Sequence, residues 1–139
     1  MTQFILDASV ALRWFLDSSA PPYATKVRQL LLGGAVALVP ALWHLEMANG
    51  LVVAQRRGFL TSADVDRSLL HIEQLLTSMV ECDVSLIVVR EALLIAEKFQ
   101  VSAYDAAYLA MARRVKLPLA TLDQGLRQAA KTASVEIVS

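Results

Sequence analysis

The chain has 139 residues, a length that suits one ordinary domain with a single substantial core, and we expect one domain over residues 1–139. Thirteen basic and thirteen acidic side chains give a formal charge of zero, which argues against a protein that coats nucleic acid without sequence preference. Hydrophobic residues make up 56% of the chain, which is high for a soluble protein, so we expect a partner or a second copy to cover part of the surface.

Apolar runs that suit short buried strands alternate along the chain with apolar residues at helical spacing. In chain order we predict a strand over residues 4–6, a helix capped by Ser9, a helix over 23–32, a strand over 35–39, helices over 41–57 and 61–76, a strand over 79–82, helices over 88–99 and 102–115, a strand over 118–122, a helix over 124–131 and a strand over 135–138. This alternation is typical of a parallel sheet that helices cover on both faces. Ligands of such sheets bind beyond the carboxyl ends of the strands, so the residues that follow each strand are candidate site residues.

Two of the predicted helices carry a regular apolar face. In the helix over residues 41–57 the face consists of Trp43, Met47, Leu51 and Ala54, and in the helix over residues 61–76 it consists of Val65, Leu69, Ile72, Leu75 and Leu76. Each face can fill the core of the domain, and an exposed face can instead bind a partner. We therefore treat both as candidate core and as candidate interfaces for dimerisation or partner binding.

The sequence favours a cytoplasmic protein without a membrane anchor. The longest charge-free run lies between Arg28 and Glu46, where a glycine pair and Pro40 interrupt it, and it is shorter than the ~20 apolar residues that a spanning helix needs. The N-terminus has no basic region and Asp7 interrupts the first apolar run, so we expect no secretory leader. The single cysteine, Cys82, cannot form an internal disulfide, which is typical of a reducing compartment.

Four acidic residues stand at related places in this order of elements. Asp7 follows the first predicted strand and Asp123 follows the fourth, so both should lie at the same edge of the sheet. Glu46 lies one turn into the helix after the second strand, and Asp105 lies in the first turn of the helix that Ser102 opens. Their neighbours are apolar, and buried charges without compensation are very costly. A shared divalent cation such as Mg²⁺ is the natural compensation, because it binds carboxylate oxygens.

Three of these acids also have an ordinary structural interpretation. Asp105 stands three residues after Ser102, which is close to the spacing of a capping box. Asp123 can be the N-cap of the following helix, and Asp7 can be a turn residue. Glu46 has no capping role inside its helix, which makes a functional interpretation strongest there.

Four short motifs contain these acids: Phe-Ile-Leu-Asp-Ala-Ser at residues 4–9, Glu-x-x-Asn at 46–49, Ser-Ala-Tyr-Asp-Ala-Ala-Tyr at 102–108 and Thr-x-Asp at 121–123. In this order and spacing they resemble the motifs of PIN-domain nucleases, specifically the VapC-type toxins of bacterial and archaeal toxin–antitoxin pairs. The resemblance covers essentially the whole chain. It implies a PIN-like α/β fold, a three-layer sandwich with a mostly parallel central sheet of about four to five strands flanked by about seven helices.

The resemblance also implies roles for the acids. Asp7 and Asp105 stand at the positions of the usual metal ligands, Glu46 completes the cluster, and Asp123 stands at the position whose role varies most. Mg²⁺ or Mn²⁺ is the implied cofactor. The implied partners are a second copy in a homodimer, a cognate VapB-type antitoxin that inhibits the enzyme, and a structured RNA substrate such as tRNA or ribosomal RNA.

From these residues we expect an endoribonuclease that hydrolyses phosphodiester bonds by in-line displacement with divalent cations. Asp123 is a candidate for positioning the water or a second cation. The hydroxyl groups of Ser9 and Thr121 are candidates for orienting the carboxylates. Asn49 lies three residues after Glu46 on the same helix face and is a further supporting candidate.

Contacts to RNA phosphates would have to come from a few cations. Arg13, Arg113 and Arg114 follow the acidic motifs and are the candidates, although cations near helix C-termini are also ordinary. A metal-free mechanism would need a pair of histidines as acid and base. His44 and His71 are the two histidines of the chain, and we expect both at the surface on separate helices.

Three other functions start from the same acids. An Asp-nucleophile phosphatase also has an acid at the position of Asp7, but it needs a second Asp where this chain has Ser9. A phospho-receiver domain with Asp83 as acceptor needs paired acids after the first strand and a lysine after the last, and the sequence has neither. A PIN-like domain kept only for binding would be supported by loss of the acids, and all of them are present.

Overall fold

The structure is a computed structural model that describes residues 2–139. Within these residues it contains four strands, namely β1 (Gln3–Leu6), β2 (Val36–Pro40), β3 (Val80–Asp83) and β4 (Leu119–Ala120). It also contains eight helical segments, namely α1 (Ala8–Ala11), α2 (Arg13–Leu16), α3 (Pro22–Leu32), α4 (Leu42–Arg56), α5 (Ser62–Ser78), α6 (Val89–Phe99), α7 (Ala103–Val115) and α8 (Gln124–Thr132). The first two helices are a single turn each, so this set agrees with the helix content expected from the sequence.

The four strands form one sheet in the order β3-β2-β1-β4, and every neighbouring pair is parallel. β1 is central, with Ile5 opposite Leu38 of β2 and Leu119 of β4. Phe4, Ile5 and Leu6 are fully buried, as expected for an inner strand of a parallel sheet. The predicted α/β fold with a mostly parallel sheet is therefore confirmed. Because β1 and β4 are parallel neighbours, the residues that follow them lie at one edge of the sheet.

Helix α7 packs on three strands of this sheet, β1, β2 and β4. Its buried residues are Ala106, Ala107, Tyr108, Leu109, Met111 and Ala112. Half of these are alanines, whose short side chains allow the helix to lie close to the strands. The packing fixes the first turn of α7 in space, and that turn carries Asp105.

Helix α4 follows β2 and lies against the end of α1. Its buried face is the one predicted from the sequence, namely Trp43, Met47, Leu51 and Ala54. Gly50 permits a close contact with α1, because a Cβ atom there would lie 2.5 Å from Cδ2 of Leu12 unless that side chain moved. This close approach brings the helix that carries Glu46 next to the chain segment after β1.

The predicted cap at Ser9 is wrong. Helix α1 begins at Ala8, with Asp7 in the N-cap position, and Ser9 lies inside the helix. The Ser9 hydroxyl donates a hydrogen bond to the Asp7 carboxylate rather than accepting one from the helix backbone. A charged acceptor two residues away competes successfully for the hydroxyl, because hydrogen bonds to ionised groups are the stronger ones.

The last two predicted strands are shorter than expected. β4 ends at Ala120, because the backbone N–H groups of Leu122 and Asp123 donate to side-chain hydroxyls and not to a neighbouring strand. The predicted strand over residues 135–138 is reduced to a single parallel bridge between Leu119 and Ile137. The sheet therefore stops where the side-chain network of the candidate site begins.

The predicted apolar face of α5 is only partly covered. Ile72 is buried, whereas Leu69 is half exposed. The helix begins with a complete capping box, in which Thr61 and Asp64 each bond the other's backbone N–H group. None of the helices between residues 2 and 139 has the length and apolar character needed to cross a membrane.

Candidate active site

Asp7 stands directly after the central strand, and only 4% of its surface is exposed. Its Oδ2 atom accepts hydrogen bonds from the hydroxyl groups of Ser9 and Thr121, both at 2.7 Å. Burial raises the pKa of Asp7 above its usual value, and the two hydroxyl bonds oppose that rise because they favour the ionised form. The nearby charge of Asp123 raises the pKa of Asp7 further.

The two hydroxyl groups also join the ends of β1 and β4. Ser9 Oγ and Thr121 Oγ1 are 3.3 Å apart. The N–H group of Leu122 donates to Ser9 Oγ, and the N–H group of Asp123 donates to Thr121 Oγ1, each at 3.0 Å. Thr121 is completely buried, so its hydroxyl cannot bond to water and needs these partners for its hydrogen bonds. The predicted supporting residues Ser9 and Thr121 thus lie in direct contact with Asp7.

Glu46 reaches the same edge of the sheet from α4. Its Oε1 atom accepts a hydrogen bond of 2.7 Å from the hydroxyl of Tyr108, a buried residue of α7. Burial raises the pKa of Glu46, the charge of Asp7 raises it as well, and the bond from Tyr108 lowers it. The influence of Asp7 on Glu46 shows that the two carboxylates lie near each other.

Tyr108 was missed as a site residue in the sequence analysis. Its hydroxyl also accepts a long hydrogen bond of 3.4 Å from the backbone N–H group of Ala8, the residue after Asp7. The available signal was a tyrosine among apolar residues of a helix that packs on the sheet, because a buried tyrosine hydroxyl needs a polar partner. Which partner it finds depends on two elements far away in sequence.

Asp105 lies in the first turn of α7, where its backbone N–H group donates to Ser102 Oγ at 3.0 Å. Within residues 2–139 its carboxylate receives no hydrogen bond, so the reciprocal half of the capping box is missing. Burial is the largest cause that raises the pKa of Asp105 to about 6, followed by the charges of Asp123, Asp7 and Glu46. Asp105 is therefore within electrostatic range of all three other acids.

Asp123 caps α8, as one interpretation of the sequence predicted. Its Oδ1 atom accepts a hydrogen bond of 2.8 Å from the N–H group of Leu126. Capping does not separate Asp123 from the other acids, because its charge raises the pKa of both Asp7 and Asp105. The residue combines a structural bond with a place in the acidic cluster.

The four acids, Asp7, Glu46, Asp105 and Asp123, form one cluster of interacting charges. As their side chains stand, the described part of the chain contains no group of three or more His, Cys, Asp or Glu residues close enough to hold one ion. The chemistry of the set, carboxylate oxygens alone, nevertheless fits a hard cation such as Mg²⁺ or Mn²⁺ and not a soft one. Among the described residues, Asp105 is the one of these four acids whose carboxylate accepts no hydrogen bond.

Comparison with known proteins identifies the fold and the family. The sequence matches the family described as PIN domain over residues 4–132. The chain belongs to the PIN domain family. Members of this family are typically metal-dependent nucleases that use divalent cations. The resemblance inferred from the motifs is thereby confirmed at the level of the family.

Two solved structures share this PIN fold. PAE2754 from Pyrobaculum aerophilum superposes with a TM-score of 0.69 at 20% sequence identity, covering 92% of this chain and 84% of the other. FitAcB from Neisseria gonorrhoeae superposes with a TM-score of 0.66 at 16% identity, covering 98% of this chain and 96% of the other. No curated protein matches the sequence. The predicted PIN-like α/β fold is confirmed by these similarities.

Within residues 2–139 the remaining predicted site residues of this PIN domain form no hydrogen bond or ion pair with the four acids. Asn49 is exposed and makes no side-chain hydrogen bond to the described residues. Arg13 forms an ion pair of 3.2 Å with Asp17. Arg113 lies over the ring of Phe99, with its guanidinium carbon 5.7 Å from the ring centroid. Their roles in catalysis or RNA binding stay predictions.

Arg114 and the histidines bear on the alternative functions. Arg114 forms an ion pair of 2.9 Å with Asp83, the acid that a phospho-receiver domain would use. The hydrogen bond from the Ser85 backbone N–H group lowers the pKa of Asp83, and the bond from Arg114 lowers it further. The Asp83 carboxylate therefore already has two hydrogen-bond partners within the domain. His44 and His71 are both exposed on separate helices, as predicted, and do not form an acid–base pair.

Proposed function

We propose that this PIN domain is a Mg²⁺- or Mn²⁺-dependent endoribonuclease that hydrolyses phosphodiester bonds in structured cellular RNA, and that it is the toxin of a VapBC-type toxin–antitoxin pair. The observation that carries the proposal is the acidic cluster at the carboxyl edge of the sheet. Asp7, Glu46, Asp105 and Asp123 come from four separate elements, yet their charges act on one another. Such an arrangement costs folding free energy unless a cation compensates it.

Asp7, Glu46 and Asp105 are the residues that we propose as ligands of the cation, with Asp123 holding the attacking water or a second cation. A bound Mg²⁺ or Mn²⁺ supplies an activated water and neutralises charge on the phosphoryl oxygens. Burial and the mutual repulsion of the acids raise the pKa values of Asp7, Glu46 and Asp105, and a bound cation would relieve that repulsion, which supports their assignment.

The other side chains of the site orient these acids. Ser9 and Thr121 both donate to Oδ2 of Asp7, and no side chain within residues 2–139 donates to Oδ1. These two bonds hold the Asp7 carboxylate in a fixed orientation. Asp105 has no such bond and can adjust its position when substrate and water enter.

The substrate and partners follow from the family resemblance together with the surface. We propose tRNA or ribosomal RNA as substrate class, a VapB-type antitoxin as inhibitor, a homodimer, a cytoplasmic location, and one domain over residues 1–139. Support for an interface comes from six large apolar side chains that are exposed on α6 and the segment before it, namely Val84, Leu86, Val88, Val89, Leu93 and Leu94. Arg13, Arg113 and Arg114 remain the proposed RNA contacts.

Incubation of the purified protein with total cellular RNA tests the activity directly. We expect cleavage with Mg²⁺ or Mn²⁺, none with a chelator, and none with Asp7→Asn, because the amide cannot replace the carboxylate charge. Asp66→Asn is the matched control, since Asp66 is exposed on α5 outside the cluster. The products should carry 5′-phosphate and 3′-hydroxyl ends. A 2′,3′-cyclic phosphate would contradict hydrolysis by an activated water, and RNA binding without cleavage would favour a binding module.

A further inference from the structure

The hydroxyl group of Tyr108 connects the two elements that carry Asp7 and Glu46. Tyr108 is completely buried on α7. Its hydroxyl donates to Glu46 Oε1 at 2.7 Å and accepts from the N–H group of Ala8 at 3.4 Å. Ala8 is bonded covalently to Asp7, so a single oxygen atom lies between the Glu46 carboxylate and the backbone of Asp7.

The direction of these bonds is fixed by chemistry. A backbone N–H group can only donate, so the Tyr108 oxygen accepts from Ala8 and the single hydroxyl proton goes to Glu46. Burial, followed by the charges of Asp7 and Glu46, raises the pKa of Tyr108, so the hydroxyl keeps its proton. In this geometry the Tyr108 hydroxyl is a donor to Glu46.

Glu46 needs such a donor more than Asp7 does. Its side chain is long and flexible, and immobilising it in a ligating position costs side-chain entropy. Asp7 has two hydroxyl donors close in space, whereas Tyr108 is the one side-chain donor to Glu46 within residues 2–139. The hydroxyl of Tyr108 uses Oε1 and leaves Oε2 without a side-chain partner in the same part of the chain.

We infer that Tyr108 is a positioning residue that sets the separation between Glu46 and Asp7 before a divalent cation binds to both. This inference rests on the proposed function, because it assumes that the two carboxylates share a cation. Residues that hold metal ligands by hydrogen bonds typically change metal affinity or activity by roughly 10- to 100-fold when they are substituted. Tyr108 contacts neither the substrate nor the cation in this role.

Tyr108→Phe removes the hydroxyl and keeps the ring in the core. We expect the dissociation constant for Mn²⁺, measured by calorimetry without RNA, to rise roughly 10-fold or more. In cleavage assays the Mn²⁺ concentration for half-maximal rate should rise, while kcat at saturating Mn²⁺ should recover most of the parental value. A purely structural role would not separate these two quantities.

A matched tyrosine variant tests whether the effect is specific. Tyr104→Phe changes an exposed tyrosine one turn earlier on α7. It should not change the affinity for Mn²⁺. Equal weakening in Tyr104→Phe would mean that positioning of Glu46 by the Tyr108 hydroxyl does not explain the result.

A double-mutant cycle tests whether Tyr108 acts through Glu46. In a Glu46→Ala background we expect Tyr108→Phe to cause no further loss of Mn²⁺ affinity, because the group to be positioned is gone. Additive losses would overturn the inference. If Tyr108→Phe lowers stability, the Mn²⁺-dependent rise in Tm still reports the affinity of the folded fraction, and a rise equal to that of the parent would also overturn it.

The failures of the two proposals are distinguishable. If the parent protein binds Mn²⁺ and cleaves RNA while Tyr108→Phe has parental affinity, the positioning role is wrong and the proposed function stands. If the parent protein neither binds Mn²⁺ nor cleaves RNA, the proposed function is wrong and the role of Tyr108 is rejected with it.

Discussion

The strand side of the acidic cluster, Asp7 and Asp123, differs in construction from the helix side, Glu46 and Asp105. On the strand side both carboxylates accept hydrogen bonds: Asp7 accepts from the hydroxyls of Ser9 and Thr121, and Asp123 accepts from the backbone N–H group of Leu126. On the helix side Glu46 accepts one bond, from Tyr108 on α7, and no hydrogen bond to the Asp105 carboxylate exists among the described residues.

From this difference we infer that the site has two unlike halves. We call the strand side, Asp7 and Asp123, the rigid side, and the helix side, which includes the unbonded Asp105, the adjustable side. Residues that directly follow paired strands are held by the sheet, so hydroxyl donors can be placed around them accurately. The helix-side carboxylates accept fewer hydrogen bonds, and Asp105 also experiences the charges of the three other acids. We therefore expect the strand side, together with Glu46 held by Tyr108, to fix geometry, and Asp105 on the helix side to respond to protons and cations.

The largest expected effect is loss of cleavage in Asp105→Asn, since this variant removes a proposed ligand from the adjustable side. Stability of the metal-free protein should not fall, because the cap of α7 uses the backbone N–H group of Asp105 and not its carboxylate. RNA cleavage and urea denaturation at neutral pH measure the two quantities, with Asp66→Asn as control. Cleavage at the parental rate would remove Asp105 from the proposed ligands.

An intermediate effect is expected on the rigid side from Thr121→Val, which keeps the shape of a completely buried residue and removes its hydroxyl. Asp7 loses a donor and the N–H group of Asp123 loses its acceptor, so the free energy of unfolding should fall by about 1–3 kcal/mol. Cleavage should fall roughly 10- to 100-fold.

Thr132→Val is the control for this variant, because the Thr132 hydroxyl bonds only within its own exposed helix turn. It should change both quantities little. Unchanged cleavage in Thr121→Val would mean that catalysis does not need the hydroxyl of Thr121. The expectation that the strand side fixes the geometry of the site would then be wrong.

The smallest expected effect is a pH dependence of stability that comes mainly from the adjustable side. The pKa of Asp105 is raised from 3.8 to about 6 by burial and by the charges of Asp123, Asp7 and Glu46. A raised pKa means that the folded state binds the proton more tightly than the unfolded state. Its contribution to stability is fully present below pH 3.8 and is lost as the pH rises through about 6.

Thermal unfolding of the metal-free protein should therefore occur a few degrees lower at pH 7.5 than at about pH 5. Asp7 and Glu46, whose pKa values are also raised, act in the same direction. The lowered pKa values of Asp64 and Asp83 contribute stability that is constant above their ordinary value of 3.8 and is lost as the pH falls below it, so they do not affect the comparison between about pH 5 and about pH 7.5. Asp105→Asn should flatten the profile, and parallel profiles of parent and variant would contradict the assignment.

Much of the fold and of the site could be predicted from local sequence. The buried face of α4 and the caps at Ser102 and Asp123 depend on residues within a few positions of one another, and the structure agrees with them. The acids Asp7 and Asp123 could be selected because they follow apolar runs that suit strands, where parallel sheets bind ligands, and Glu46 because an acid inside a helix has no capping role. Whether they are ligands stays a prediction.

Other features could not be predicted, because they depend on distant partners. The Ser9 hydroxyl was expected to cap a helix, but its partners in the structure include Thr121, which lies 112 residues later. The Tyr108 hydroxyl bonds to Glu46, 62 residues earlier. The last strand is a single bridge, since the sheet ends in side-chain hydrogen bonds after β4.

The sequence by itself determined the alternation of strands and helices, the identity of the acids and the family to which their motifs belong, because these depend on spacing along the chain. The tertiary structure alone decided which hydroxyl groups hold Asp7, which tyrosine holds Glu46, and that Asp105 remains unbonded. The physical reason is that a buried polar group must find a partner in space, and packing of β4, α4 and α7 around β1 chooses that partner.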